Sequence, residues 1–91
     1  MTNCRNVTVV NEAGLHARPC HAIMSMAMSH ACSLRIRPAG EGTREVNGKS
    51  ILELMTLAAG KGEVLDLKAE GPDAEALLVA IDALIASGFE E

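Results

Sequence analysis

The pattern of hydrophobic and polar positions predicts four strands and three helices along the chain. Runs of β-branched and apolar residues predict strands over residues 6–10, 33–38, 43–47 and 63–70. Apolar residues at helical spacing predict helices over residues 17–29, 51–57 and 73–87. Turns rich in glycine or proline separate neighbouring elements at residues 38–42, 60–62 and 71–73. Strands interrupted by helices and joined by short turns predict an α+β fold, with helices packed on one face of a sheet.

The last predicted helix has one apolar stripe, and its charged residues lie elsewhere on its circumference. The stripe consists of Leu77, Ile81, Leu84 and Ile85. The chain has one Phe and no Trp or Tyr, so Leu, Ile, Val, Ala and Met must build the core, and we expect Met26 and Met28 to pack there. At 91 residues, we expect a single domain spanning residues 1–91.

Charge and composition argue against several classes of protein. The formal net charge is −4 and the basic residues are scattered, which disfavours binding to nucleic acid. The N-terminus lacks the apolar run of a secretory signal, and Asp82 interrupts the longest apolar stretch, so we expect a cytoplasmic protein without membrane insertion. Cys4, Cys20 and Cys32 form no CxxC pair, so we expect reduced thiols.

The most reactive chemistry lies in residues 14–19, with the sequence Gly-Leu-His-Ala-Arg-Pro. A polar turn at residues 11–14 precedes a helix that starts at Ala17, which places His16 at or next to the N-cap. The free amides of a first helical turn and the helix dipole favour an anion there. Arg18 adds a planar guanidinium that binds phosphate oxygens in a bidentate manner. Because a neutral imidazole is a competent nucleophile, this segment is suited to carrying a phosphoryl group.

This segment resembles the active-site signature of HPr, the histidine-containing phosphocarrier family of the bacterial phosphoenolpyruvate-dependent sugar phosphotransferase system (PTS). The residues that match its motif are Gly14, Leu15, His16, Arg18 and Pro19. Cys20 and His21 depart from the family, which usually has Ala, Ser or Gly at these positions. The order of elements follows the family along nearly the whole chain. The resemblance implies an open-faced β-sandwich, an antiparallel sheet covered on one face by the helices.

A second matching segment contains Ser50, within the sequence Asn-Gly-Lys-Ser-Ile-Leu-Glu. It resembles the region where some family members carry a regulatory serine, which a dedicated HPr kinase/phosphorylase modifies. Ser50 and Glu53, three residues later, also form a capping box that would open a helix. We expect the cap from the residues alone, while the resemblance implies the phosphorylation. A phosphate on Ser50 would add negative charge to a docking surface and repel the phosphoryl donor.

The resemblance implies a stoichiometric phosphoryl carrier without a cofactor, rather than a turnover enzyme. His16 would accept the phosphoryl group through Nδ1 from phospho-Enzyme I and pass it to Enzyme IIA domains, while Arg18 would stabilise the phosphate. We expect both partners to meet a surface on the first two helices, and the chain to be a monomer. The residues expected in this surface are Ala17, His21, Ile51, Leu52 and Met55.

Other interpretations of the chain are open at this point. A regulatory module acting through Ser50, a nitrogen-type phosphotransfer chain without sugar transport, and a small ligand-binding domain are the alternative functions. Cys20 is either a redox brake, with a thiol pKa lowered by the helix start, or a small packed residue. His21 and His30 are nine residues apart and would point to different helix faces, so we expect no metal site.

Overall fold

The computed structural model describes residues 2–90 as an antiparallel β-sheet with helices on one face. The elements, in chain order, are β1 (Thr2–Thr8), α1 (Ala17–Met28), β2 (Ser33–Pro38), β3 (Val46–Asn47), α2 (Ile51–Met55), β4 (Val64–Glu70) and α3 (Ala74–Ala86). A 3₁₀ turn at Gly88–Glu90 follows α3. The four antiparallel strands and three helices confirm the predicted α+β open-faced sandwich.

The strands are arranged in the order β1-β4-β2-β3, and every neighbouring pair is antiparallel. β4 is the last strand in the chain but lies between β1 and β2, so that Glu70 is paired with both Thr2 and Ser33. The short β3 extends the sheet beyond β2, where Val46 pairs with Ile36. β1 and β2 are consecutive strands that lie on either side of β4, and β3 and β4 lie on either side of β2, so the connections that carry α1 and α2 cross one face of the sheet.

The core lies between that face and the helices. Side chains alternate along each strand, and the inward-facing apolar residues of β2 and β4 are buried: Leu34, Ile36, Leu65, Leu67 and Ala69. The predicted stripe of α3 is confirmed for Leu77, Ile81 and Ile85, which are fully buried, whereas Leu84 is half-buried.

The methionines contribute less to the core than predicted. Met26 is half-buried and packs against the core. The prediction is wrong for Met28, of which 62% is exposed, because it lies next to Ala27 and off the buried stripe of α1. Two cysteines, Cys20 and Cys32, are buried in the core together with Leu, Ile, Val and Ala.

Three strands differ from their predicted bounds, and β4 does so by only one residue, because it begins at Val64 rather than at residue 63. β1 covers Thr2–Thr8 rather than residues 6–10, because its polar first half still pairs with β4. β3 covers Val46–Asn47 rather than residues 43–47. The Thr43 hydroxyl donates to the Pro38 carbonyl oxygen at 2.7 Å and keeps the chain before β3 in a turn.

The helix ends agree with the predictions within two residues, and the caps explain the differences. α2 stops at Met55 rather than at residue 57, and Ala58, with φ +48°, then redirects the chain. α3 begins after Asp73, which is its N-cap. The Asp73 carboxylate accepts hydrogen bonds from the amides of Ala31 and Cys32, at 2.8 and 2.9 Å, and so joins α3 to the start of β2. Within residues 2–90, no helix combines the length and hydrophobicity needed to cross a membrane.

Candidate phosphoryl-carrying site

His16 is the N-cap residue of α1, as predicted. Its backbone is extended, with φ −91° and ψ −167°, and its carbonyl oxygen accepts a helical hydrogen bond from the Cys20 amide at 3.1 Å. Its side chain is exposed and does not cap the helix. The amides of Ala17 and Arg18 precede that first helical hydrogen bond, and Pro19 has no N–H. The helix start therefore offers N–H donors to an anion beside His16.

Arg18 adds positive charge in the same turn. Its side chain is exposed, and the first turn of α1 contains no acidic residue. Within the part of the chain that the structure describes, Arg18 forms no ion pair. Its guanidinium is therefore available to bind phosphate oxygens, in addition to the amides and the helix dipole.

A tight turn presents His16, and a buried polar side chain stabilises this turn. The Asn11 amide group donates from Nδ2 to the Gly14 carbonyl oxygen at 2.6 Å, and the Gly14 amide donates to the Asn11 carbonyl oxygen at 3.1 Å. The predicted turn at residues 11–14 is confirmed. Asn11 belongs to that predicted turn, and its side chain closes the turn, as asparagine side chains commonly do.

The loop between α2 and β4 packs against this turn. The Ala59 carbonyl oxygen accepts a hydrogen bond from the Leu15 amide at 2.9 Å, and Gly14 approaches the same oxygen closely. Lys61 Nζ and Glu12 Oε1 form an ion pair of 2.6 Å across the two loops, and its hydrogen bond and charge lower the pKa of Glu12. These contacts join distant parts of the chain, so no local pattern could have predicted them.

Cys20 faces the interior one turn after His16. It is fully buried, and its thiol lies 3.8 Å from the Leu15 carbonyl oxygen. Burial raises the pKa of the Cys20 thiol, because a thiolate is poorly solvated there. These observations confirm the interpretation of Cys20 as a small packed residue. The redox brake requires a lowered thiol pKa, so that interpretation is wrong.

The residues predicted for partner binding lie on α1 and α2, which pack against each other. We call this set the α1–α2 surface, formed by Ala17, His21, Ile51, Leu52 and Met55. Leu52 and Met55 are 78% and 47% exposed, Ala17 and His21 are exposed, and Ile51 is half-buried. Exposed apolar side chains of this size, beside the helix that carries His16, are typical of a protein-docking surface.

Ser50 caps α2, as predicted, because its Oγ accepts a hydrogen bond from the Glu53 amide at 3.3 Å. The other half of the capping box differs from the prediction. The Glu53 carboxylate accepts a hydrogen bond from the Asn47 amide at 3.1 Å, and the Ser50 amide donates to the Asn47 carbonyl oxygen at 3.1 Å. The backbone of Asn47, in the turn before α2, therefore bonds the Glu53 carboxylate and the Ser50 amide, which a complete capping box would pair with each other. Ser50 itself is half-buried.

The two histidines outside residues 14–19 have different surroundings. His30 Nδ1 lies 2.9 Å from the Met26 carbonyl oxygen after the end of α1, whereas His21 is exposed on the α1–α2 surface. Across residues 2–90, no group of three His, Cys, Asp or Glu side chains is placed to hold a metal ion.

An open-faced sandwich with an exposed histidine and arginine at a helix start defines a class of small α+β proteins suited to binding a phosphoryl group on their surface. Comparison with known proteins agrees with this class. The family model described as PTS HPr component phosphorylation site matches residues 4–87. The chain is similar to a phosphocarrier protein HPr from Treponema pallidum (strain Nichols), with 41% identity over 87 residues and 96% of each chain covered.

Other relatives extend the comparison. A phosphocarrier protein NPr from Escherichia coli (strain K12) is 34% identical over 91 residues, covering 100% of this chain and 99% of the relative. A crystal structure of HPr-C-His from Thermoanaerobacter tengcongensis has a TM-score of 0.88, with 32% identity and coverage of 98% and 97% of the two chains. A crystal structure of an HPr dimer from the same organism has a TM-score of 0.74 at 34% identity, covering 93% and 94%.

The chain therefore belongs to the HPr and NPr phosphocarrier family of the PTS. The general role of this family is to carry phosphoryl groups, rather than to turn over a small substrate.

Proposed function

We propose that His16 accepts a phosphoryl group from the phosphohistidine of Enzyme I and passes it to Enzyme IIA domains. The observation that carries this proposal is the placement of an exposed His16 as the N-cap of α1, with Arg18 and the free helix amides around it. A phosphoryl group on the imidazole would lie where the helix start is positively polarised.

The transfer needs little chemistry from the protein. The lone pair of a neutral His16 Nδ1 attacks phosphorus, the new N–P bond forms as the donor's N–P bond breaks, and no general base is required. The same exchange in the opposite sense delivers the phosphoryl group to the acceptor. Arg18 and the amides of Ala17 and Arg18 stabilise the charge on the transferring oxygens, so the protein contributes positioning and electrostatics.

Both partners would dock on the α1–α2 surface. Leu52 and Met55 supply exposed apolar contact, and the flexible Met side chain suits a surface that must recognise different partners. Ala17 and His21 extend this contact toward His16, with His21 as the residue most distinct from the family pattern. The carrier acts as a cytoplasmic monomer in this proposal.

Ser50 is the proposed regulatory position, modified by an HPr kinase/phosphorylase. Its hydroxyl is only half-buried, so a kinase could reach it after the weak 3.3 Å cap opens. A phosphate there would lie next to the exposed apolar residues of α2. Its negative charge would disfavour docking of the phosphoryl donor.

A nitrogen-type phosphotransfer chain, without sugar transport, is the second candidate. The 34% identity to an NPr over 91 residues supports it. Initial rates of phosphorylation by purified sugar-type and nitrogen-type Enzyme I separate the two candidates, because each carrier should prefer its own donor. A clear preference for the nitrogen-type donor would assign the chain to nitrogen-type phosphotransfer instead of sugar transport.

Intact mass measured after incubation with Enzyme I and phosphoenolpyruvate tests the central proposal. We expect one added phosphoryl group that a brief acid treatment removes. His16→Ala should abolish this addition, while His30→Ala, which removes another histidine near α1, should keep it. Acid-labile phosphate on His16→Ala would contradict the assignment. An acid-stable phosphate that needs ATP and disappears in Ser50→Ala would support the regulatory site.

A further inference from the structure

The face of the sheet opposite the helices carries a second candidate anion site. Strand residues that alternate with the core point to this open face, and a hollow of about 290 Å³ lies in it. Charged side chains that line the hollow are Arg35, Arg37, Lys68, Glu45 and Asp66, together with Arg5 from the adjacent strand. The guanidinium of Arg5 is occupied, because its Nη1 pairs with Asp82 at 2.7 Å.

Three residues directly across from one another on neighbouring strands form one row in this hollow, and their charged groups are paired within the row. Asp66 on the central β4 is in register with Asn6 on one side and Arg37 on the other. Its carboxylate accepts a hydrogen bond from Asn6 at 2.5 Å and pairs with Arg37 at 3.6 Å. Opposite charges and hydrogen-bonding groups placed directly across a sheet in this way stabilise the strand pairing.

The neighbouring row has the opposite character. Lys68 on β4 is in register with Cys4 on one side and Arg35 on the other, so two cations lie directly across from each other. Such a pair repels. Among the residues that the structure describes, no hydrogen bond or ion pair involves the side chain of Arg35 or Lys68.

Three nearby acceptors are already engaged. Asp66 is held by its own row, and Glu70, the next outward-facing residue of β4, accepts a hydrogen bond from the Thr2 hydroxyl at 3.0 Å. Asn47, opposite Arg35 on β3, uses its side-chain oxygen to accept a hydrogen bond from the Lys49 amide at 2.9 Å. Glu45 also lines the hollow, but among residues 2–90 it forms no ion pair with Arg35 or Lys68. An added anion would therefore relieve the repulsion between Arg35 and Lys68.

We propose that this row binds a small phosphate-bearing anion between Arg35 and Lys68. A planar guanidinium and an ammonium are the two side-chain groups that proteins use most for phosphate, the first as a bidentate donor and the second as a point charge. The hollow of about 290 Å³ has room for a small molecule but is at the lower limit for a larger ligand. The site lies on the face opposite the helices, so it is separate from the phosphoryl group on His16.

Cys4 provides a local reporter of occupancy in the unmodified protein. It is exposed and adjacent to Lys68, whereas Cys20 and Cys32 are buried. The experiment measures the rate at which iodoacetamide alkylates Cys4, followed by mass spectrometry of the peptide that contains Cys4. The rates in inorganic phosphate and in chloride are compared at equal ionic strength. We expect phosphate to slow alkylation of Cys4 and the Lys68→Gln and Arg35→Gln variants each to weaken this protection about fivefold.

Two control variants separate this site from general effects of charge. Arg44→Gln removes an exposed cation outside the hollow, and Arg18→Gln removes the cation at the His16 site, so both should keep the protection. Equal effects of phosphate and chloride, or protection that survives in both Lys68→Gln and Arg35→Gln, would overturn the proposal. Protection by a polyglutamate peptide but not by phosphate would overturn it too, and would assign the face to an acidic protein segment.

Discussion

Replacing Gly14 by alanine tests whether the contact between two loops positions His16. Gly14 has φ +68°, and a Cβ built there would lie 2.5 Å from the Ala59 carbonyl oxygen and 3.0 Å from Gly60 Cα. Both neighbours are backbone atoms, so relief requires the loops to separate. That movement would break the 2.9 Å hydrogen bond from the Leu15 amide to the Ala59 carbonyl oxygen.

The expected cost has two parts. An alanine in the left-handed region costs roughly 1–2 kcal/mol relative to glycine. Loss of the hydrogen bond from Leu15 adds about 1 kcal/mol. Together with residual crowding, we expect Gly14→Ala to lower the free energy of unfolding by about 2–4 kcal/mol, which is about 10–20 °C in Tm for a chain of this size.

Two other glycines in the same region serve as matched controls. Gly62 has φ +92° but open space around its built Cβ, so Gly62→Ala should show the conformational cost alone, roughly 1–2 kcal/mol. At Gly60, the nearest atom to a built Cβ is Glu63 Oε2 at 3.8 Å. Gly60→Ala should therefore leave the stability unchanged, or raise it by about 0.5 kcal/mol.

Two measurements complete the test of Gly14. Urea unfolding gives the stability of each variant, and the initial rate of phosphoryl transfer from phospho-Enzyme I, measured where all variants are folded, reports on His16. A displacement on the order of 1 Å should slow transfer about tenfold to a hundredfold in Gly14→Ala. Equal loss of stability in Gly14→Ala and Gly62→Ala would refute the steric argument. A wild-type transfer rate in a destabilised Gly14→Ala would refute the positioning role.

Three further predictions concern other parts of the molecule. The hydrogen bonds from backbone amides lower the pKa of Asp73, so its stabilisation is present above the ordinary pKa of about 3.9 and is lost as pH falls through the lowered value. Urea unfolding should therefore show that the difference in stability between wild type and Asp73→Asn disappears on acidification, and a difference independent of pH would contradict this. Mild peroxide should leave the rate of phosphoryl transfer unchanged, because Cys20 is buried with a raised pKa, and mass spectrometry should find oxidation at Cys4 first. Leu52→Ser should raise the KM of Enzyme I for this carrier about threefold to tenfold without loss of stability, because Leu52 is 78% exposed. An unchanged KM would show that Leu52 is not part of the docking surface.

The sequence predicts local structure well where the physical cause is itself local. The N-cap at His16, the Ser50 hydroxyl on the Glu53 amide and the buried stripe of α3 all depend on residues within one or two helical turns of each other. Helical period and capping chemistry express these interactions directly in the order of residues. The helix ends were therefore predicted within two residues.

The errors arose where a distant partner decides the outcome. The polar first half of β1 has no apolar alternation, yet it is a strand because β4 supplies its hydrogen-bond partners. The sequence predicts that Glu53 completes a capping box, but its carboxylate accepts a hydrogen bond from the Asn47 amide in the preceding turn. Cys20 lies near a helix start and near Arg18, and both features predict a lowered thiol pKa. Burial has the larger effect and raises the pKa instead.

The sequence by itself determined the helices, the α+β class and the position of His16 at a helix start, because short-range periodicity and caps encode them. Only the tertiary structure decided the strand order, the packing of the Ala59 loop against Gly14, and the register that places Lys68 beside Arg35. These features depend on which distant segments meet in the folded chain. That choice follows from burying one shared core, and no local pattern records it.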